Sequence, residues 1–250
     1  MTPSRRAVLP LLALPLLAQG KPPLRVRPRP GTAALGVRAG PDPAAIAPSA
    51  FEVRLIGRGA PSDVVRMESW YGRGRLLGTV SVAGRDLLLI ATEGTRGTGV
   101  YQEWLVIAGC DDAGVLRVLG IEVLSCREVQ GLSGEARLTG GVVARDVGLR
   151  VTYQSNRILP LPRREGRPPR MAAPARERWS TFLPWSGAGA LPAPASVTTA
   201  GPMQRQADAT RARVAALLAS PVSDLIAIRP GLQEAGLYEL GALYPATEPG

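Results

Sequence analysis

The chain has 250 residues with 30 Lys+Arg against 20 Asp+Glu, no histidine, two cysteines and 45% hydrophobic residues. The missing histidine excludes Ser-His-Asp and Cys-His nucleophilic systems and every His-ligated metal site, and two cysteines alone do not close a thiolate zinc site. A formal charge of +10 and a pI near 10.8 suggest a polyanionic partner, so where the charges fall matters more than their sum.

Residues 1–18 read as a signal peptide. Arg5 and Arg6 form a positive n-region, Ala7 to Leu17 an apolar core, and Ala18 a small residue at the cleavage point. The apolar core is about half of the roughly 20 residues needed to cross a bilayer, and Pro10 and Pro15 interrupt it. The run Ser4-Arg5-Arg6-Ala7-Val8-Leu9 resembles a twin-arginine export signal, with Val8 where that pattern usually carries Phe. The expected location is therefore exported, periplasmic or extracellular. Nothing later in the chain is long and apolar enough for an integral membrane span of the mature protein.

Residues 19–50 are dense in Pro, Ala and Gly and read as a flexible leader. From residue 51 to 156 the texture changes to short apolar runs cut by Gly and polar turns, which is a strand rhythm. Eight strands are predicted: Phe51–Ile56, Val64–Trp70, Leu76–Val82, Asp86–Glu93, Val100–Ala108, Val115–Ser125, Glu135–Val143 and Val147–Gln154. The last alternates, with Val147, Leu149, Val151 and Tyr153 on one side. The run Leu87–Ala91 is apolar throughout and suits a strand covered on both faces.

Short connections such as Ala83-Gly84 and Asp111-Asp112-Ala113-Gly114 favour sequential antiparallel pairing. The expected fold is mainly β, an antiparallel meander forming a sandwich or small barrel, with a short C-terminal helical segment. Aromatic residues make up 4% of the chain, too few for the two girdles of an outer-membrane barrel. Gly94-Thr95-Arg96-Gly97-Thr98-Gly99 lacks the Gly-Lys-Ser/Thr of a phosphate loop and reads as a hairpin turn.

Residues 157–200 form a Pro/Ala/Arg linker around one apolar island, Trp179 to Trp185, expected to plug onto the β core. In residues 201–250, Met203, Ala207, Thr210, Val214 and Leu217 make one helical stripe. Ser220-Pro221 looks like the cap and first position of a second helix. A third helix-like stretch, Leu232 to Leu243, is weakened by Gly236 and Gly241.

The charge map separates two parts. Residues 21–30 carry four positive charges and no acid, residues 157–178 seven arginines against two acids, and residues 51–156 twelve arginines against twelve acids. The folded part is thus expected to be neutral, with the excess in Pro-rich stretches. Arg163, Arg164, Arg167 and Arg170 are the candidate contacts to an anionic envelope surface. Export and the lack of aromatics among these arginines argue against nucleic acid.

Three function classes remain, and no cofactor is implied. The first is an exported, non-catalytic β domain with a binding or scaffolding role. The second is a carboxylate-dependent saccharide hydrolase, which needs two facing acids. Glu103 and Glu122 are the candidates, because a turn pairing Cys110 with Val115 sets Glu103 opposite Glu122. The third is a tether through the basic linker. The same hairpin places Cys126 eleven residues beyond Val115, roughly 36 Å away at about 3.3 Å per residue, whereas a disulfide needs Cα atoms within about 7 Å. Arg127 makes Cys126 the candidate reactive thiol, while Asp111 and Asp112 disfavour a thiolate at Cys110.

Overall fold

The computed structural model describes residues 34–38, 48–56, 64–70, 74–97, 99–111, 115–129, 134–145, 147–161, 170–185 and 200–242. The signal peptide expected at 1–18 lies outside them. Strands β1 (Ala34–Arg38), β2 (Pro48–Ile56) and β3 (Val64–Trp70) form a three-stranded antiparallel sheet. The larger sheet contains β4 (Gly74–Val82), β5 (Arg85–Gly97), β6 (Val100–Cys110), β7 (Leu116–Val129), β8 (Glu135–Arg145), β9 (Gly148–Ile158) and β10 (Ala175–Pro184). Every strand of it pairs antiparallel with its sequence neighbour, so the protein is a mainly β meander, and the sheet is open with β4 and β10 at its edges.

All eight predicted strands are present, and the local chemistry explains them. Ala83 and Gly84 both take positive φ, 51° and 72°, the backbone that a two-residue turn needs to match strand twist. Leu87 to Ala91 are buried throughout, as a strand covered on both faces requires. In β9 the residues Leu149, Val151 and Tyr153 are buried while Arg150, Thr152 and Gln154 are exposed. Val147 is 62% exposed, because it lies in the turn before β9 and not on the strand.

The sequence expectation needs correction at several places, including Gly94–Gly97, read as turn but on β5, and Leu232–Leu243, of which only Leu232–Glu234 is helical. β1 and the start of β2 fall within residues 19–50, read as a leader. Residues 157–200, read as a linker, contain β10, which pairs with β9 and sets Trp179 opposite Tyr153. The apolar island therefore joins the core as an edge strand. Trp179, Thr181 and Leu183 face in, and Ser180, Phe182 and Pro184 face out, a period of two that the proline-rich surroundings obscure. Finally, Ser220-Pro221 opens no helix. Residues 222–225 run extended between β3 and β7: Arg66 N–H donates to Ser223 O at 2.7 Å, Leu225 N–H to Arg66 O at 2.9 Å, and Val118 N–H to Val222 O at 2.9 Å. Satisfying backbone groups on two strands outweighs the local preference of Pro221.

Helix α1 (Pro202–Leu217) carries the expected stripe, with Met203, Ala207, Thr210 and Val214 buried. Asp208 and Arg211 are buried beside them. α2 (Arg229–Glu234) ends where Gly236 adopts φ +75°. Leu237 N–H reaches back to Leu232 O and Gly236 N–H to Gln233 O, which closes the helix and buries both leucines.

Both ends of α1 are capped by the sheet. Its cap residue, Gly201, has no side chain to offer, and Glu177 of β10 instead accepts the Met203 and Gln204 amides at 3.1 and 3.3 Å. A Cβ at position 201 would collide with that carboxylate. At the other end the buried Arg117 of β7 donates to the carbonyls of Leu218 and Ser220. A carboxylate at the N-terminus and a guanidinium at the C-terminus both complement the helix dipole. Glu177→Ala is expected to lower stability by about 0.5–2 kcal/mol, as loss of a cap does, read from the urea midpoint at unchanged m-value.

Candidate functional site

The two expected acids do not meet. The β6–β7 register pairs Glu103 with Ser125 and Glu122 with Leu105. The turn pairs Cys110 with Leu116, and bulges between Ile107/Ala108 and Glu103/Trp104 each insert one more β7 residue. The acid across from Glu103 is Glu93 of β5. Arg75 bonds Glu103 Oε1 at 2.9 Å and Arg96 bonds Glu93 Oε1 at 3.0 Å, so each carboxylate has a cation beside it.

Glu122 belongs to a buried cluster that locks α1 to β7. Arg211 Nε donates to its Oε1 at 2.6 Å and Nη2 to its Oε2 at 3.1 Å, and Nη1 donates to Asp208 Oδ1 at 2.6 Å. Tyr153 Oη donates to Glu122 Oε2 at 2.5 Å. The tyrosine ring passes over Gly140, where a Cβ would stand 2.8 Å from the ring and 2.6 Å from Val123 O. Burial alone would make Arg211 easier to deprotonate; the Glu122 carboxylate overrides that and holds the guanidinium firmly protonated. Burial, reinforced by the charge of Glu122, pushes the Tyr153 phenol well above its ordinary 10.0. Three donors hold its two oxygens and the side chain is buried, so Glu122 is closed to a substrate.

The cysteines are both free thiols. Cys126, the expected reactive thiol, is corrected: burial first and then Glu128 raise its pKa to about 12. On a strand Arg127 points to the opposite face, whereas Glu128, two residues along, shares the face of Cys126. Of the basic-segment candidates Arg170 is exposed, and Arg163, Arg164 and Arg167 lie outside the described residues. The segment's described ends lie against each other, with Leu161 N–H bonded to Arg170 O at 2.8 Å.

The open site is the solvent face of β8, β9 and β10. A polar cleft of about 420 Å³ there is lined by Arg137, Thr139, Gly140, Gly141, Thr152, Tyr153, Gln154, Asn156 and Arg178. The register explains the gathering, since Thr139, Gln154 and Arg178 stand side by side, as do Arg137 and Asn156. Two guanidinium groups, two threonine hydroxyls and two side-chain amides converge, with no carboxylate in the lining, while the Tyr153 hydroxyl turns inward to Glu122. Asn156 Oδ1 is buried and has no hydrogen-bond partner among the described residues. Guanidinium, hydroxyl and amide groups are the chemistry that complements anions and hydroxyls. Sequence reasoning missed it, because its residues are ordinary outward positions of three strands until register sets them side by side. Among the described residues no group of His, Cys, Asp and Glu is placed to hold a metal, and no helix is long and apolar enough to cross a membrane.

Comparison of the chain with protein-family models, with curated proteins and with solved structures gives no match.

Two outcomes follow from the buried groups. Arg211→Met, which strands two carboxylates, is expected to cost about 3–5 kcal/mol, and adding Glu122→Gln and Asp208→Asn to the same chain recovers part of it. Cys126 and Tyr153 both have raised values in the folded state, so folding favours their protonated forms. Their contribution is whole below pH 9 and is lost as pH rises from the ordinary 9.0 and 10.0 toward the folded values, about 12 for Cys126. Cys126→Ala and Tyr153→Phe should each flatten the alkaline fall in unfolding free energy, and native Cys126 should resist iodoacetamide at pH 8 until the chain unfolds.

Proposed function

We propose that this chain is an exported, non-catalytic β domain of the cell envelope or extracellular space, and that the outer face of β8–β10 is where it binds its ligand. The observation that carries the binding role is the make-up of the cleft: Arg137 and Arg178 with Thr139, Thr152, Gln154 and Asn156, and no acid among them. The ligand that fits carries negative charge and hydroxyl groups. Export rests on the Arg5-Arg6 n-region and the short apolar core that follows it. The hydrolase reading loses its support, because Glu103 and Glu122 have different register partners and Glu122 is sealed by Arg211 and Tyr153.

The test is affinity electrophoresis of the folded protein through gels holding soluble acidic or neutral polysaccharides. Retardation by an acidic polymer is expected, and Thr139→Ala with Gln154→Ala should weaken it about tenfold, the effect of losing one or two net hydrogen bonds. Absence of retardation in every gel, or shortening of the polymer by the protein, overturns the reading. Recovery of the exported chain with Gln19 as its first residue checks the signal peptide.

A further inference from the structure

Following the register across the large sheet gives one continuous row. Arg96 on β5 stands opposite Tyr101 on β6, Tyr101 opposite Arg127 on β7, Arg127 opposite Arg137 on β8, Arg137 opposite Asn156 on β9, and Asn156 opposite Arg176 on β10. Residues directly opposite one another project to the same side of a sheet. At about 4.8 Å between strands, the row runs roughly 24 Å over six strands. From the geometry we infer that this row is a track for a linear acidic polysaccharide lying across the strands, its carboxylate or sulfate groups seated on Arg127, Arg137 and Arg176. The inference rests on the binding-face reading above and names the class of ligand.

Like charges directly opposite on adjacent strands destabilise a sheet, yet Arg127 faces Arg137. Among the described residues they have little relief. Arg137 lies 3.5 Å from Glu135, in a pair whose side chains are 55% and 35% exposed, so solvent screens the contact. Arg127 and Arg176 are exposed and have no ion-pair partner among the described residues. An anion from outside relieves the repulsion, and the guanidinium fork accepts a carboxylate or sulfate by two parallel hydrogen bonds.

The neighbouring row supplies what a sugar chain needs besides charge. Ser125, Thr139, Gln154 and Arg178 lie side by side there, about 6.6 Å along the strands, with hydroxyl and amide groups for sugar hydroxyls. The acids that continue this row, Glu103 and Glu93, are bonded by Arg75 and Arg96, which mutes their repulsion of a polyanion.

Other polyanionic surfaces fit less well. Single-stranded nucleic acid is held by successive aromatic platforms, and this row has one aromatic, Tyr101. A membrane surface calls for apolar side chains beside the cations. The exposed apolar side chains nearest in register lie off the row: Met171, opposite Pro160, two rows and roughly 13 Å beyond Asn156, and Val143 and Phe182, beside Arg150, three rows and roughly 20 Å to the other side.

The experiment titrates the folded chain with polygalacturonate by calorimetry at several salt concentrations, with neutral dextran, a single-stranded oligonucleotide and phosphatidylglycerol vesicles in parallel. Polygalacturonate is expected to bind best. Arg127→Gln, Arg137→Gln and Arg176→Gln should each weaken it about tenfold or more and reduce the slope of log K against log salt by about one. Arg150→Gln should change neither. With no polymer present, Arg127→Gln should leave Tm unchanged or raise it, because it removes a like-charge pair. A lowered Tm, an equal loss in Arg150→Gln, or stronger binding of oligonucleotide or vesicles overturns the track. If the arginine variants bind normally while Thr139→Ala with Gln154→Ala does not, the track fails and the binding face stands. If nothing binds, both fail.

Discussion

Helix α1 is attached to the sheet by charge at three points along its length, and the rest of the C-terminal half is arranged around that attachment. Glu177 of β10 closes its first turn, Glu122 of β7 takes Arg211 from its middle, and Arg117 of β7 closes its last turn. Apart from Glu177, which is half-buried, these groups are removed from water, where an unpaired charge costs several kcal/mol. The helix therefore has one place to dock. β8 leaves β7 after the pairing of Ser125 with Thr139, so Leu116–Leu124 lacks a β8 partner. The chain leaving α1 enters that region, and Val118 bonds Val222. The final turns then pack under Gln102, whose amide donates to Leu237 O and Leu240 O while its oxygen accepts the Trp104 indole N–H.

That covering divides the sheet into a buried part and a wet one. β5, β6 and β7 carry the residues buried under β3, α1 and the terminal turns, including Leu105 and Ile107. β8, β9 and β10 keep one face in water, where polar groups and arginines stay exposed. The pairing register holds those groups at fixed spacing, and for the proposed extended ligand such preorganisation would lower the entropy cost of binding. Among the described residues Glu93 and Glu103 are drawn into ion pairs and Glu122 into a buried cluster, while Arg127, Arg137 and Arg176 are left outward.

Much of the fold was legible. Strand existence followed from alternation and from the all-apolar Leu87–Ala91, and hairpin turns from Ala83-Gly84 and the Asp-rich 111–114 segment. α1 followed from the stripe Met203, Ala207, Thr210, Val214. β10 was hidden by proline composition although Trp179, Thr181 and Leu183 alternate cleanly. Pro221 misled, because it is compatible with both a helix start and an extended edge. The Glu103–Glu122 pairing failed on a turn one residue different from the expected one and on two one-residue bulges, the first beside Gly120, a strand glycine that signals such a bulge. Of the candidate site almost nothing was visible, since Arg127, Arg137, Asn156 and Arg176 are ordinary outward residues of their strands.

By itself the sequence determined the mainly β class of the fold: the periods of two and of 3.6 and the turn residues are local properties, and local sterics and hydrophobic burial act on them directly. The tertiary structure alone decided which charges are buried and which form a surface. Side chains from six strands become neighbours only when register is set, and register depends on bulges and on the docking of α1. These are sums over long-range contacts that no short window of sequence contains.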